Sequence, residues 1–406
     1  MTSELCRWPL TKRVLFEPIG GLHPSQRWLI QYPPSGYAFL TRNLPWDRRF
    51  DSWTKNHGTS FLTQGPPSRL LPLPLVKAYL DSTIANLLQA SYSADLVYAY
   101  NHIAFHRHAW VSALEWFHVV TGFYLPHFFQ YRRIIEKSIS SDSCKGVFLW
   151  SQIAKTSFEL NTHLGRSEEK IKVVPPAVPR RDFVKSQDTD VINLLFIGQG
   201  STRDPLEFYY KGGLEVVTVF NQLCERYRNL RLWLRDEVPK DIRWLVSKNP
   251  KINLIETRLS ERMLDELYKK SQIFVVPSHL SHNMVIPEAM SYEMPVVTTD
   301  AINNPEWVRE GITGFLVKTS SEFPYFGRNL IPSRRIPELS KSFDAMMVTK
   351  KPNVLKQLND KLTILIEDEA LRRRMGKAAR LEAETGLFSI SARNSFLKRF
   401  FDNSLE

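Results

Sequence analysis

The feature that most restricts the fold is a series of short apolar runs alternating with helical stripes between residues 192 and 317. Ile192, Leu194, Leu195, Phe196 and Ile197 form a brief apolar run ending at Gly198, the pattern of a strand buried on both faces. Leu214, Val217, Phe220, Leu223 and Tyr227 then recur at three and four residues, one face of a helix, with Cys224 in the same stripe. Further runs at 230–234, 252–255, 273–276 and 296–297 predict strands, and Met263, Leu264, Leu267 and Tyr268 predict a helix between two of them. Such alternation builds a parallel sheet covered by helices on both faces, and ligands bind these sheets at the carboxyl ends of the strands.

The first half is less regular. Apolar runs at 13–16, 37–40, 96–100, 119–121 and 147–149 predict a second sheet of the same type. Residues 175–190, rich in proline and charge, lack periodicity and read as a linker. The expected division is 1–184, 185–385 and a closing helix over 386–406 that crosses back to the first domain, which suits a chain of 406 residues. Segments 41–75 and 319–353, rich in proline and basic residues, read as loops or insertions.

Composition removes several classes. Three cysteines, Cys6, Cys144 and Cys224, lie far apart without the close pairing of a metal or redox site, which suits a reducing compartment. The apolar stretch 14–22 is short and broken by Glu17, so a secretory signal is not expected, and no run of 18 apolar residues predicts a membrane span. The net charge is +12, most of it in residues 1–188, which would attract nucleic acid, an anionic lipid surface or a phosphorylated ligand. Zinc-finger, helix-turn-helix and ribonucleoprotein patterns are missing, so nucleic acid is not an expected partner. His102, His106, His108, His118 and His127 cluster in sequence but do not share one helix face, so no metal is expected and these residues read as core or surface.

Three segments follow predicted strands and should converge on one sheet edge. Residues 198–213 end in Lys211-Gly212-Gly213 immediately before a helix, where a cation and two backbone amides would face an anion; a solvated lysine beside a helix start fits equally well. Residues 277–290 (PSHLSHNMVIPEAM) leave a strand through a polar loop, with Pro287 and Glu288 in the first turn of a new helix. A carboxylate there can accept hydrogen bonds from ribose hydroxyls; it can also act on the helix dipole alone, worth about 0.3–1 kcal/mol. The third segment, 295–317, closes with two glycines three residues apart, a tight turn.

In this order the three segments resemble the donor half of a family 4 glycosyltransferase, the retaining group. The Lys-Gly before a helix, the Pro-Ser strand end, the Pro-Glu-Ala-Met helix, the Pro-Val-Val-Thr strand and the Gly-x-x-Gly-Phe-Leu-Val ending all match, as does 371–380 (LRRRMGKAAR). The resemblance covers about residues 192–400; before that it rests on Gly20-Gly21, on Ser151 and Lys155, and on 169–175. It implies an α/β chain of GT-B type, two Rossmann-like, doubly wound parallel-sheet domains facing across a cleft.

By the same resemblance, Lys211 would bind the donor diphosphate and Glu288 the ribose, these two carrying the catalytic role. The backbone over 281–286, with His282, Met284, Val285 and Ile286, would hold phosphates or sugar. Arg258 and Leu259 would line the nucleobase pocket, and Gly20 and Gly21 would lie near the donor phosphates, a reading favoured over the alternative of a simple tight turn. The chain differs from the family pattern at Leu280, Gln199 and Phe123, at Ser281-His282-Asn283, and at Asn303-Asn304. Gln199 falls where an arginine is usual, Leu280 where a glutamate is; Arg203 could supply the cation, and His279 or His282 a sugar contact.

The implied activity is metal-independent, retaining transfer from a nucleotide-sugar to a glycan- or lipid-linked acceptor, with no cofactor, in the cytoplasm. Arg132, Arg133 and Lys137 beside Tyr124, Phe128, Phe129 and Tyr131 would suit peripheral contact with an anionic membrane, or simply a solvated helix face. The alternative is a degenerate GT-B protein that binds a nucleotide sugar or a partner subunit without turnover.

Overall fold

The computed structural model describes residues 11–18, 24–41, 72–87, 94–185, 190–198, 206–280 and 284–406. Gly20, Gly21, Gln199, Arg203, His282 and Cys6 lie outside these described residues. The chain forms two compact units: residues 1–176 with 390–406, and residues 177–389.

The first unit is built on a six-stranded parallel sheet in the order β2-β1-β3-β4-β5-β6. Its strands are β1 (Lys12–Pro18), β2 (Tyr37–Thr41), β3 (Leu96–Tyr100), β4 (Trp110–Leu114), β5 (Cys144–Leu149) and β6 (Ile171–Val173). β3 and β4 are buried at every position, which is why their sequences carry no alternation. The run at 119–121 is not a strand: it belongs to the 3-10 helix Phe117–Thr121, closed by Gly122 at φ 72 and Phe123 at φ 62. The strand expected there is β4, earlier in the chain.

The helix Ile390–Leu405 belongs to this first unit. Phe401 packs edge-on against Tyr37 at 5.2 Å, and the Tyr37 hydroxyl donates to Asp402 at 2.7 Å. The buried Arg393 donates to the Tyr32 carbonyl at 2.9 Å.

The second unit carries another six-stranded parallel sheet, in the order β12-β11-β10-β7-β8-β9. Here the strands are β7 (Ile192–Ile197), β8 (Leu230–Arg235), β9 (Ile252–Ile255), β10 (Ile273–Val276), β11 (Val296–Thr299) and β12 (Gly314–Val317). β7 and β10 are central, β10 apolar throughout and β7 apolar but for Asn193, while β8 alternates between buried and more open positions. Because the pairings are parallel, the carboxyl ends of all six strands lie along one edge.

Two segments taken as irregular prove to be packed structure. Residues 177–185 of the linker are fastened to the second unit: Arg380 donates to the Arg181 carbonyl at 2.8 Å, and the Phe183 ring lies tilted against Tyr292 at 5.5 Å. The Lys185 ammonium is buried among the carbonyls of Tyr268, Ser271 and Tyr292. Segment 319–353 contains the helix Pro337–Met347. Its apolar anchors Phe343 and Met347 are buried, a pattern hidden by the surrounding prolines and charges.

Candidate functional site

The carboxyl edge of the second sheet brings the predicted segments together. β7 is followed by Gly198, which the carboxylate of Asp236, just beyond β8, approaches so closely that a Cβ would collide with it. A glycine here permits this contact between neighbouring strand ends.

The turn carrying Lys211 is joined to the loop after β10. A one-turn helix, Glu207–Tyr210, ends at Lys211; Gly212 follows at φ 80 and caps the helix Gly213–Arg226. The Gly212 N–H is not open to a ligand, because it donates to the Tyr209 carbonyl at 3.0 Å. Gly212 lies against the main chain of Pro277, where a side chain would not fit. The Tyr210 carbonyl accepts the His279 N–H at 2.8 Å and the Ser278 hydroxyl at 3.4 Å, and Ser278 in turn accepts the Leu280 N–H at 3.1 Å. These bonds hold the Lys211 turn and residues 277–280 in one register.

The segment read as an insertion buttresses this turn. Arg334 stacks on the Tyr210 ring at 3.8 Å and pairs with Glu207 at 3.3 Å. The Tyr210 hydroxyl donates to Asp344 at 2.5 Å.

His279 does not reach outward as a sugar contact. It is fully buried, with Nδ1 at 2.7 Å from the Tyr325 hydroxyl and Nε2 at 3.7 Å from Glu215. Burial lowers its pKa, so the imidazole is neutral there, although Glu215 pulls the other way. Glu215 is itself buried; burial alone would raise its carboxyl, but His279 and Lys351 hold it below the usual range. The Lys351 ammonium donates to Glu215 at 2.6 Å and to the Met347 carbonyl at 3.0 Å.

Glu288 lies in the helix Val285–Ser291, half-buried, and accepts the Tyr268 hydroxyl at 3.0 Å. Burial, reinforced by the Glu288 carboxylate, raises the Tyr268 phenol well above its ordinary value, so it remains a donor. Tyr268 stacks on Tyr292 at 4.8 Å, and Tyr292 donates to Asp265 at 2.6 Å. Met284 and Ile286 are buried in the core, so a ligand would meet Ile286 through its main chain; Val285 is half-buried. Arg258 is exposed and Leu259 half-buried in the segment between β9 and the helix Glu261–Lys270.

Further residues at this edge have contacts that the sequence patterns do not assign. Asn304 donates through its amide to the Ser278 carbonyl at 3.2 Å. Asp300, after β11, accepts from the backbone of Thr319 at 2.6 Å and of Ser320 at 2.9 Å, tying β11 to the chain after β12. Arg235 closes β8 beside Gly198. In hindsight Arg235-Asp236 at a strand end was the legible mark, two opposite charges where the apolar run stops.

In the first unit, Ser151 caps the helix Gln152–Asn161 by accepting the Ala154 N–H at 3.3 Å, and Lys155 pairs with Glu159 at 3.6 Å. Both therefore have structural duties. His106 pairs with Glu17 at 2.9 Å and His102 lies 4.0 Å from the same carboxylate, all three buried. Among the described residues no group of three or more His, Cys, Asp or Glu side chains is placed to hold a metal ion.

Comparison with known proteins now bears on this edge. Residues 193–324 match the family model Glycosyl transferases group 1. The group 1 segment runs from β7 past β12 and contains Lys211, Arg258 and Glu288. No curated protein matches the chain. Among solved structures, a glycosyltransferase from Rickettsia africae is 14% identical with a TM-score of 0.59, covering 97% of this chain and 99% of its own. HepE of Anabaena, solved with UDP and glucose, is 15% identical with a TM-score of 0.56 over 97% of this chain and 99% of its own. Sucrose-phosphate synthase from Thermosynechococcus elongatus is 12% identical with a TM-score of 0.58 over 97% and 98%. These likenesses establish the fold: the chain has the two-sheet α/β architecture of GT-B glycosyltransferases.

Proposed function

We propose that the chain is a retaining, metal-independent glycosyltransferase that moves a sugar from a nucleotide-sugar donor to a glycan- or lipid-linked acceptor. The observation that carries this reading is the coincidence of the group 1 segment with the sheet edge where hydrogen bonds join the Lys211 turn to residues 277–280 and where Glu288 accepts from Tyr268. In this reading Lys211 balances the charge that grows on the leaving diphosphate, and the Glu288 carboxylate, oriented by Tyr268, accepts from the ribose hydroxyls. The acceptor hydroxyl attacks the anomeric carbon as the bond to the diphosphate oxygen breaks, and its proton passes to a phosphate oxygen. The protein's share is positioning and electrostatics. HepE was solved with UDP, so a uridine diphosphate sugar is the first donor to try.

The acceptor side of the reading rests on the first unit. The helix Leu125–Ser140 exposes Phe129 and Ile134 together with Arg133 and Lys137, a combination suited to the anionic inner face of a membrane. Among the described residues no helix is long and apolar enough to cross a membrane.

A mass-spectrometric screen of nucleotide sugars against a lipid-phosphate acceptor tests the proposal. Transfer by the wild type, lost in Lys211→Ala and Glu288→Ala, is the expected result; transfer that survives both substitutions would put the roles on other residues. A second reading, nucleotide-sugar binding without turnover, is favoured by one observation. Leu280 offers no carboxylate, and His279 next to it is buried against Tyr325 and Glu215. Binding of nucleoside diphosphate with neither hydrolysis nor transfer would select it.

A further inference from the structure

The linker residue Lys185 stands where the two helices that carry Tyr268 and Glu288 meet. Its Nζ donates to the carbonyls of Tyr268 at 3.2 Å, of Tyr292 at 3.1 Å and of Ser271. An ammonium has three N–H donors, and here each has a main-chain acceptor. Tyr268 and Ser271 lie in the last turn and cap of the helix Glu261–Lys270, and Tyr292 caps the helix Val285–Ser291. Two helix carboxyl termini, each the negative end of its dipole, therefore converge on one cation.

Side chains join the same two helices. The Tyr268 hydroxyl, from the first, donates to Glu288 of the second at 3.0 Å; the Tyr292 hydroxyl, just beyond the second, donates to Asp265 of the first at 2.6 Å. Between these bonds the two rings stack at 4.8 Å with their planes 7° apart. Lys185, Tyr268, Glu288 and Tyr292 thus form a closed circuit, in which the carboxylate is one member and Lys185 links the two main chains.

Fastening the linker does not by itself require this lysine. Arg380 donates to the carbonyls of Arg181 at 2.8 Å and of Phe183 at 3.2 Å. Arg181 lies over the Tyr292 ring at 4.9 Å and Phe183 against it at 5.5 Å, while Asp182 and Val184 are exposed. These contacts reach Tyr292; the Lys185 ammonium reaches the Tyr268 end as well.

We propose that Lys185 is a positioning residue of the nucleotide site: it holds the carbonyl ends of both helices together, keeps the Tyr268 hydroxyl on Glu288, and so orients that carboxylate for the ribose hydroxyls. This rests on the nucleotide reading above. Without the ammonium, three carbonyls lose their common donor and the helix ends can part, which loosens the bond between Tyr268 and Glu288. Lys211 belongs to a different turn, before the helix Gly213–Arg226, so the loss falls on the ribose hydroxyls rather than on the phosphates.

Calorimetric titration of the full chain with UDP and with 2′,3′-dideoxyuridine diphosphate, which lacks both ribose hydroxyls, tests this. The readout is the ratio of the two affinities: a smaller folded fraction weakens both ligands alike and leaves the ratio unchanged. The wild type should favour UDP by about tenfold or more. In Lys185→Met that preference should shrink by about threefold or more, the worth of one hydrogen bond. Lys185→Arg, which keeps the charge but spreads its donors over a planar fork, should fall between the two. Lys185→Met combined with Tyr268→Phe should lose no more preference than Tyr268→Phe alone, because both act on one bond. With a discriminating wild type, an unchanged preference in Lys185→Met, or losses that multiply in the double variant, overturns the proposal alone; if Lys185→Met does not fold, an unchanged preference in Lys185→Arg does so. A wild type that binds the two ligands alike removes the ribose role of Glu288 and this proposal with it, and one that binds neither UDP, GDP nor ADP refutes the nucleotide reading as well.

Discussion

The His279 N–H donates to the Tyr210 carbonyl at 2.8 Å, and this bond sets the distance between the turn that presents Lys211 and the loop that leaves β10. The same junction depends on Gly212, whose φ of 80 and contact with Pro277 leave no space for a side chain. Gly212→Ala should therefore combine left-handed strain with a main-chain clash, at a cost of about 1–3 kcal/mol or more. Gly311→Ala is the control: φ is 72 there, but the space around it is open. Thermal unfolding should show Gly212→Ala clearly below Gly311→Ala; equal melting would mean that the Pro277 contact constrains nothing.

Beneath that junction lies the pair of Glu215 and Lys351, both buried. Lys351→Met leaves a buried carboxylate without its counter-ion, and about 3–5 kcal/mol of stability is expected to go with it. Glu215→Leu combined with Lys351→Met removes both charges and should recover much of that loss. Urea unfolding of the three proteins decides the matter, and a double variant no better than Lys351→Met would show that the pair is not acting as a unit.

His102 makes stability depend on pH. Burial pushes its imidazole down to about 4, in spite of the nearby Glu17 carboxylate. The unfolded chain takes up this proton near pH 6.5 while the folded chain resists it to about 4, so stability is full above pH 6.5 and declines as pH falls toward 4. The part due to this residue reaches about 3 kcal/mol. Unfolding free energies measured between pH 7.5 and pH 4 should fall less steeply for His102→Gln than for wild type; parallel curves would exclude His102 as the source.

Tyr268→Phe keeps the ring stacked on Tyr292 and removes the hydroxyl that donates to Glu288. Ribonucleotide affinity should drop by the worth of one hydrogen bond, about 0.5–1.5 kcal/mol, with thermal unfolding close to wild type. An unchanged affinity would detach Glu288 from the ribose.

What could be read from the residues follows from how each part is stabilised. Central parallel strands such as β10, and β7 from Leu194 to Ile197, are apolar without alternation because both faces are covered, so the second sheet stands out in the sequence. β4 escaped notice because Ser112 interrupts its apolar run; the hydroxyl is buried and satisfied by the His102 carbonyl. Val119 and Val120 resemble a strand, but left-handed Gly122 and Phe123 turn the chain immediately after them. Lys211 and Glu288 were visible as local patterns at helix starts. Arg334 on Tyr210 and Lys351 on Glu215 were not, since each pairs residues more than a hundred positions apart with no periodicity to announce them.

The most direct test is amide hydrogen exchange with and without a saturating nucleoside diphosphate. Slower exchange confined to peptides covering 206–214 and 284–290 is the expected result, because the ligand would sit on the carboxyl edge of the second sheet. Unchanged exchange in those peptides, or slowing found only within residues 11–176, would contradict a nucleotide site at Lys211 and Glu288.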